Sequence, residues 1–129
     1  TALMSGKHEI EIWGDGHQTR SFTYIDDCVE GTRRLMDSDV VEPLNIGSSE
    51  LVSVDQLADM VQEIAGVRLR RVYAENAPRG VNGRNSDNSR IRELFDWEPS
   101  TRLRDGMAKT YRWIEDELAA SRLGARTVV

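Results

Sequence analysis

The chain has 129 residues, of which 17 are basic and 22 acidic, so its net charge is −5. This length is typical of one domain, and a hydrophobic content of 39% is typical of a globular protein. An acidic chain lacks the basic face that binding to phosphate backbones requires. The sequence also has no apolar run of about 20 residues, the length of a membrane span. These properties exclude a nucleic-acid binder and a membrane-spanning protein.

The cysteine content and the first residues of the chain bear on metal binding, on location and on whether the chain is part of a longer protein. Cys28 is the single cysteine, so no disulfide forms within the chain, and no Cys/His cluster has the spacing of a zinc site. We therefore predict no metal site. No signal-peptide pattern is present, which favours a cytoplasmic location. Because the chain starts at Thr1 and enters a strand-like run almost at once, we expect it to be a piece of a longer protein.

The first third of the chain predicts two strands and a helix. Residues 8–13 alternate isoleucine with glutamate, the period of a strand, and a glycine turn follows. Residues 21–25 are rich in aromatic and β-branched side chains and predict a second strand. Helical spacing of apolar side chains then predicts a helix to about Asp37. We interpret Asp26 and Asp27 as capping and dipole-stabilising residues at its start.

The middle of the chain predicts a short strand over residues 43–46 and a helix with both ends marked. Ser53 and Gln56 have the spacing of a capping box, in which side chains at the two positions satisfy two backbone N–H groups. Gly66 suits a left-handed C-cap. The apolar periodicity between these signals predicts a helix over residues 54–65.

The second half predicts a strand over residues 67–73, a loop over 74–85, a short helix capped by Asp87 and a long last helix. We expect one face of that last helix to be buried, at Leu103, Met107, Tyr111, Ile114 and Leu118. Residues 122–129 predict a disordered tail. The alternation of short strands and helices indicates a single α/β domain over residues 1–129.

Motifs for cofactor binding and catalysis are missing from the chain. A dinucleotide-binding turn needs G-x-G-x-x-G between a strand and a helix. Gly14 and Gly16 lack the third glycine, and Gly80 and Gly83 follow a loop rather than a strand. No P-loop lysine and no G-x-S-x-G nucleophile motif occurs either. We therefore predict no catalytic residue within this chain.

Four segments taken together resemble one family. They are residues 18–27 (QTRSFTYIDD), 45–47 (NIG), 80–88 (GVNGRNSDN) and 97–99 (WEP). Their order and spacing are similar to the C-terminal part of extended short-chain dehydrogenase/reductases, the NAD-dependent epimerases and dehydratases of nucleotide sugars. The GRNSDN run within the third segment resembles the GDP-mannose 3,5-epimerases of this family. The resemblance implies an α/β substrate-binding lobe without the N-terminal Rossmann half.

The resemblance also implies a division of labour. The parent enzyme would be an isomerase that inverts carbons of a GDP-mannose-like nucleotide sugar through a 4-keto intermediate. NAD would be held by an N-terminal cofactor domain, which would also carry the catalytic groups, and the enzyme could form a homodimer. Cys28 does not match the family's catalytic cysteine, and we expect a buried, inert thiol there. The three tryptophans are interpreted as packing anchors.

Substrate contacts implied by the resemblance fall on polar side chains in two segments: Gln18, Thr19, Arg20, Ser21 and Arg84, with Asn85 and His17 as further candidates. A planar guanidinium binds two phosphate oxygens at once, which suits a nucleoside diphosphate. Neutral amides and hydroxyls suit phosphate, ribose or base edges. The remaining arginines are interpreted as surface charges.

Two alternatives stay open at this point. The chain could belong to another nucleotide-sugar enzyme, such as a 4-epimerase, a 4,6-dehydratase or a decarboxylase, since the lobe would look alike. It could also be a stand-alone, non-catalytic binding or interaction module, because no cofactor motif is present. A preference for UDP over GDP would favour the first alternative over a GDP-mannose epimerase. A clean monomer would favour the second alternative, whereas aggregation would favour a fragment.

Overall fold

The computed structural model describes residues 6–78 and 80–125. Within these ranges the strands are β1 (Glu9–Trp13), β2 (Thr19–Ser21), β3 (Leu51–Ser53), β4 (Arg70–Ala74) and β5 (Gly83–Arg84). The helices are α1 (Ile25–Met36), α2 (Val54–Ala65), α3 (Ser89–Phe95) and α4 (Leu103–Ala125). The predicted α/β class is confirmed. No helix in the described part of the chain is both long and apolar enough to span a membrane.

Strands β1 and β4 form a two-stranded parallel sheet, in which Glu9 lies opposite Arg70 and Ile12 opposite Tyr73. The predicted alternation in β1 is confirmed, because Ile12 is buried while both glutamates are exposed. Strand β4 begins at Arg70, three residues later than the predicted strand. A salt bridge between Arg70 and Glu9 joins the two strands at their first residues.

Strand β2 is the centre of the second sheet, antiparallel to β3 and parallel to β5. The predicted strand over residues 21–25 is displaced, since β2 ends at Ser21 and α1 begins at Ile25. The strand predicted over residues 43–46 is wrong. That segment is irregular because hydrogen bonds from other segments hold the residues that follow it: the backbone N–H of Ser48 donates to Thr23 Oγ1 over 2.9 Å.

Helix α2 has the predicted bounds and the predicted ends. The backbone N–H of Gln56 donates to Ser53 Oγ over 3.1 Å, and the N–H of Ser53 donates to Gln56 Oε1 over 2.8 Å, which completes the capping box. Gly66 adopts the left-handed conformation, with φ of 64°, at the C-cap. All of these signals act within a few residues along the chain, which is why the sequence alone predicts them.

Helix α1 starts differently from the prediction. Its N-cap is Tyr24, which makes no side-chain capping bond, although Asp26 and Asp27 do lie in the first turn where the helix dipole favours them. The carboxylate of Asp27 accepts a hydrogen bond from the backbone N–H of Thr101 over 2.8 Å. The predicted capping role is therefore wrong for Asp27, which instead joins α1 to the segment that leads into α4.

Helix α3 also begins one residue later than predicted. Its N-cap is Asn88, whose side chain makes no capping bond. Asp87 Oδ1 accepts from the backbone N–H of Ser89 over 3.0 Å and from its hydroxyl over 2.7 Å. Asp87 thus supports the first turn of α3 from just outside the helix.

The apolar core is small, and its buried side chains are Ile12, Ala58, Ile91 and Leu103. The buried stripe predicted for α4 is confirmed in part. Leu103 is buried, and three further predicted positions are half-buried: Met107, Tyr111 and Leu118. Ile114 is 46% exposed and does not belong to the stripe. The observed contacts of α4 with the rest of the fold come from its first turns, where Arg104 pairs with Glu63 of α2 over 2.7 Å. Helix α4 continues to Ala125, into the predicted tail, and residues 126–129 lie outside the described residues.

Two expectations about single side chains are also corrected. Cys28 is exposed rather than buried, because its position in α1 lies on the side of the helix that faces away from the core. Trp13 and Trp113 are 54% and 63% exposed, so they are not packing anchors within this chain. Trp97 does pack, with Arg34 stacked over its ring at 5.3 Å and Gly31 against its edge.

Candidate functional site

A cavity of about 270 Å³ lies beside β2, at the end of the second sheet. Its walls are Arg20 and Ser21 of β2, residues 45–47, and residues 84–86. The cavity therefore brings together four of the predicted site residues, Arg20, Ser21, Arg84 and Asn85, from segments separated by more than 60 positions in the chain.

The parallel pairing of β2 with β5 sets two arginines side by side. Thr19 pairs with Gly83 and Arg20 pairs with Arg84. Paired residues of neighbouring strands project from the same face of a sheet, so both guanidinium groups belong to one face. The close approach depends on Gly83, since a Cβ there would lie 2.7 Å from Thr19 Oγ1. Two like charges on one face repel, and an anion between them removes that cost.

The two arginines differ in how they are held. Arg20 is half-buried, and its Nη1 donates to the backbone carbonyl of Thr19 over 2.7 Å. Arg84 is exposed, and within the described residues its guanidinium has no ion-pair partner. A fixed cation next to an adaptable one is suited to bidentate binding of a diphosphate.

Three predicted site residues lie beside the cavity rather than on its walls. Gln18 Nε2 donates to the carbonyl of Trp13, while Gln18 Oε1 is buried and has no partner among the described residues. Thr19 faces Gly83 across the strand pair. His17 is exposed, and its backbone N–H donates to Asp15 Oδ1 over 3.0 Å. Their predicted substrate contacts stay predictions.

The sequence reasoning assigned no role to several residues at the cavity. Asn45, Ile46 and Gly47 form one wall, and Ser86 belongs to the opposite wall. Gly47 and Ser86 touch, because a Cβ on Gly47 would lie 2.7 Å from Ser86 Cβ. The signal was present in the NIG and GRNSDN runs, yet nothing in those runs states that they meet in space.

Asp87 and Arg92 lie behind this wall, in a separate shallow groove of about 290 Å³. Hydrogen bonds from the hydroxyl and the backbone N–H of Ser89 hold the pKa of Asp87 below its ordinary value, and Arg92 adds a smaller attraction. Asp87 is therefore ionised at neutral pH. No group of three or more metal-ligating side chains occurs among the residues that the structure describes.

The starts of α1 and α2 do not fit the pyrophosphate of a dinucleotide cofactor. Such a group needs an open helix N-terminus that follows a strand. Helix α2 follows β3 directly, but its capping box already uses Ser53 and Gln56. The carboxylate of Asp55 also lies there, so close to Gly16 that a Cβ would come within 2.5 Å of it. Helix α1 carries two carboxylates in its first turn, which repel phosphate in the same way.

Comparison with known proteins places this geometry in a family. The sequence profile described as GDP-mannose 4,6 dehydratase matches residues 1–110. The chain belongs to this family. A GDP-mannose 3,5-epimerase from Arabidopsis thaliana is 50% identical over 109 residues, which cover 84% of this chain and 29% of that protein. UDP-glucuronic acid decarboxylase 1 from the same plant is 36% identical over 103 residues, 80% of this chain and 24% of that protein.

Solved structures of nucleotide-sugar enzymes have the same fold. UDP-glucuronic acid 4-epimerase from Bacillus cereus, in complex with UDP-glucuronic acid and NAD, superposes with a TM-score of 0.80 at 30% identity. The match covers 89% of this chain and 37% of that one. The fold is thus that of one lobe of the extended short-chain dehydrogenase/reductases. The chain spans less than a third of the length of the epimerase relative from Arabidopsis.

Proposed function

We propose that the chain is the nucleotide-sugar-binding part of an NAD-dependent epimerase that acts on a GDP-mannose-like substrate. The observation that carries this proposal is the pairing of Arg20 with Arg84 at a cavity in a chain that is 50% identical to a GDP-mannose 3,5-epimerase. Such an enzyme inverts sugar carbons through a 4-keto intermediate, because a ketone at C4 acidifies the protons on C3 and C5.

The cavity would hold the diphosphate. Arg20 and Arg84 provide two planar cations on one sheet face, and each can take two phosphate oxygens. The Ser21 hydroxyl and the Asn85 amide line the same cavity and would bind ribose or further phosphate oxygens. A volume of about 270 Å³ is below the range of about 300–1,000 Å³ for complete ligand sites. The sugar and part of the nucleotide would therefore contact residues outside this chain.

The catalytic groups and NAD would also be supplied from outside the described residues. The capped start of α2 and the acidic start of α1 do not accept a pyrophosphate, so NAD would be bound by a preceding cofactor domain. Within the chain we assign positions that bind and orient the substrate and none that moves a proton. A cytoplasmic location and a homodimer stay predictions.

A second candidate function is a related enzyme that acts on a uridine nucleotide sugar. The superposition on a 4-epimerase with bound UDP-glucuronic acid and the identity to a UDP-glucuronic acid decarboxylase favour it. The arginine pair binds a diphosphate whatever the base is, so the described site does not choose between guanine and uracil. Competition between GDP and UDP for the protein separates the two candidates.

Deuterium incorporation tests the proposed reaction. GDP-mannose is incubated in D2O with the complete enzyme that contains this chain, and the sugar carbons are read by NMR and mass spectrometry. We expect deuterium at C3 and C5 because those protons exchange in the 4-keto intermediate. The 129-residue chain alone is the control and should give no uptake. An unchanged sugar with the complete enzyme contradicts the proposal, and uptake with the chain alone contradicts the absence of catalytic groups.

A further inference from the structure

Asn88 is a buried polar residue next to the cavity but not on its walls. Asn88 is 4% exposed, among the lowest values for a polar residue in the described part of the chain. It is the N-cap residue of α3, yet its side chain makes no capping bond. An N-cap asparagine ordinarily accepts from its own helix, so this amide is used for something else.

One amide joins three segments of the chain. Asn88 Nδ2 donates to the carbonyl of Gly47 over 2.8 Å and to Glu98 Oε2 over 3.2 Å. Asn88 Oδ1 accepts from the hydroxyl of Ser86 over 2.7 Å. Both N–H donors and the oxygen are therefore used. A primary amide is the side-chain group that offers two donors and an acceptor in one plane, and serine or aspartate at this position lacks one of them.

Two of the joined segments are walls of the cavity. Gly47 belongs to one wall, and Ser86 lies two residues after Arg84 on the other. The walls touch at Gly47 and Ser86. Asn88 forms a hydrogen bond with each wall, to the carbonyl of Gly47 and to the hydroxyl of Ser86. The carbonyl of Gly47 is satisfied in the interior by this amide, so losing the bond leaves a buried acceptor unpaired, which is costly.

We propose that Asn88 is a positioning residue that sets the separation of these walls and so keeps Arg84 beside Arg20 for the diphosphate. This inference rests on the proposed function, because it concerns the affinity of the same cavity. Asn88 touches no ligand in this scheme and acts through Gly47 and Ser86. Its removal lowers affinity through the placement of Arg84 rather than through a lost contact.

The charged groups around the Asn88 amide indicate which substitution tests the proposal best. Glu98 faces Asn88 and also pairs with Arg92 of α3 over 3.3 Å, and the neighbouring Asp87 turns its carboxylate to Ser89. Aspartate at position 88 has the same shape as asparagine but, when ionised, no donor. It would face the Glu98 carboxylate and the Gly47 carbonyl. Burial and Glu98 would raise the pKa of that new carboxyl group, and its protonated form would regain one donor.

The test measures GDP affinity of the complete enzyme by titration calorimetry at two pH values. We expect Asn88→Asp to weaken GDP binding about tenfold near pH 8, the value of one hydrogen bond between a displaced Arg84 and the diphosphate. Near pH 5.5, the loss relative to wild type should shrink to about threefold as the carboxyl group protonates. Asn76→Asp, the same chemical change in an exposed turn, is the matched control and should show neither effect.

A double variant keeps the test decisive if the single variant folds poorly. In Asn88→Asp combined with Glu98→Gln, the glutamine amide can donate to the new carboxylate, so donor and acceptor exchange places. We expect this variant to recover part of the affinity near pH 8, with thermal unfolding of every variant as the measure of folding. Wild-type affinity in a folded Asn88→Asp variant overturns the proposal. So does a loss that is equal at the two pH values, because only the protonated aspartic acid can donate to the carbonyl of Gly47. If the wild type binds neither GDP nor UDP, the proposed function fails instead.

Discussion

The cavity region and the outer face of α1 differ in which side chains they bury and which they expose to solvent. Next to the cavity, two polar residues are buried: Ser48 and Asn88 are 7% and 4% exposed. The backbone N–H of Ser48 donates to Thr23 Oγ1, and the amide of Asn88 donates to the carbonyl of Gly47. On α1, large apolar side chains are in solvent: Ile25, Val29 and Met36 are 61%, 59% and 79% exposed. Their spacing of four and seven residues places them along one side of the helix.

The difference shows which groups find their partners within this chain, namely the buried polar residues, and which do not, namely the apolar side chains on α1. A buried polar group is stable only when it is hydrogen-bonded. Ser48 and Asn88 meet that condition within the described residues, and Gln18 Oε1 beside the cavity is the exception. An apolar stripe on a helix ordinarily faces a core, and no described segment covers the stripe on α1. The walls beside Asn88 are therefore held by contacts within this chain, whereas the stripe on α1 is left exposed. The first prediction tests that contrast for stability.

The largest effect is expected for core truncation. Ile91→Ala should destabilise the protein by about 2–5 kcal/mol, because Ile91 is fully buried and its removal leaves a cavity. Val29→Ala, on the exposed face of α1, should change stability by less than about 0.5 kcal/mol. Denaturant unfolding followed by circular dichroism measures both. Equal losses for the two variants would show that the face of α1 is covered in solution.

Removal of the adaptable cation comes next. Arg84→Ala should weaken GDP binding by about 1.5–3 kcal/mol, roughly 10- to 150-fold, the usual value of a hydrogen bond to a charged group. Arg84→Lys should recover only part of it, since an ammonium cannot bind two oxygens in one plane. Arg90→Ala is the control, because Arg90 is exposed and pairs with Glu42 away from the cavity. Calorimetric affinity within twofold of wild type for Arg84→Ala would remove Arg84 from the site.

The capping box of α2 is expected to contribute less. Ser53→Ala removes the acceptor for the backbone N–H of Gln56 and should cost about 1 kcal/mol of unfolding free energy. Ser53→Asp keeps an acceptor and should cost less. Ser53 also ends β3, which pairs with β2, so GDP affinity of the alanine variant is measured as well. An unchanged unfolding midpoint for Ser53→Ala would show that water replaces the cap.

The smallest effect is a pH dependence at Asp87. The folded state holds the pKa of Asp87 below its ordinary value of 3.8 through hydrogen bonds from Ser89. A lowered pKa stabilises the fold at pH values above the ordinary pKa, and this contribution is lost as the pH falls through the lowered value. Asp87→Asn should therefore be slightly less stable than wild type at neutral pH and equal to it in strong acid. Thermal unfolding followed from neutral pH into strong acid tests this. A difference that persists in acid would assign the effect to the shape of the side chain rather than to its charge.

Local signals in the sequence determined α2 and β1. The capping box at Ser53 and Gln56, the C-cap glycine at position 66 and the period-two alternation in β1 all act over a few residues, and the structure has each of them. The family resemblance likewise rested on short runs, and it pointed to Arg20 and Arg84, which the fold then sets side by side. The capping box, the C-cap glycine and the alternation in β1 were predicted correctly because each depends on neighbours along the chain.

Only the tertiary structure decided the path of residues 43–46, the partner of Asp27 and the exposure of the helix faces, because each depends on contacts with distant segments of the chain. The apolar run at residues 43–46 resembles a strand, but contacts from Thr23 and Asn88 hold the residues after it in an irregular path. Asp27 resembles a helix cap, but Thr101 provides its partner. The exposed thiol of Cys28 and the exposure of Trp113 and Ile114 on α4 follow from the same cause. Helical periodicity states which side chains share a face, and packing alone determines whether that face is covered.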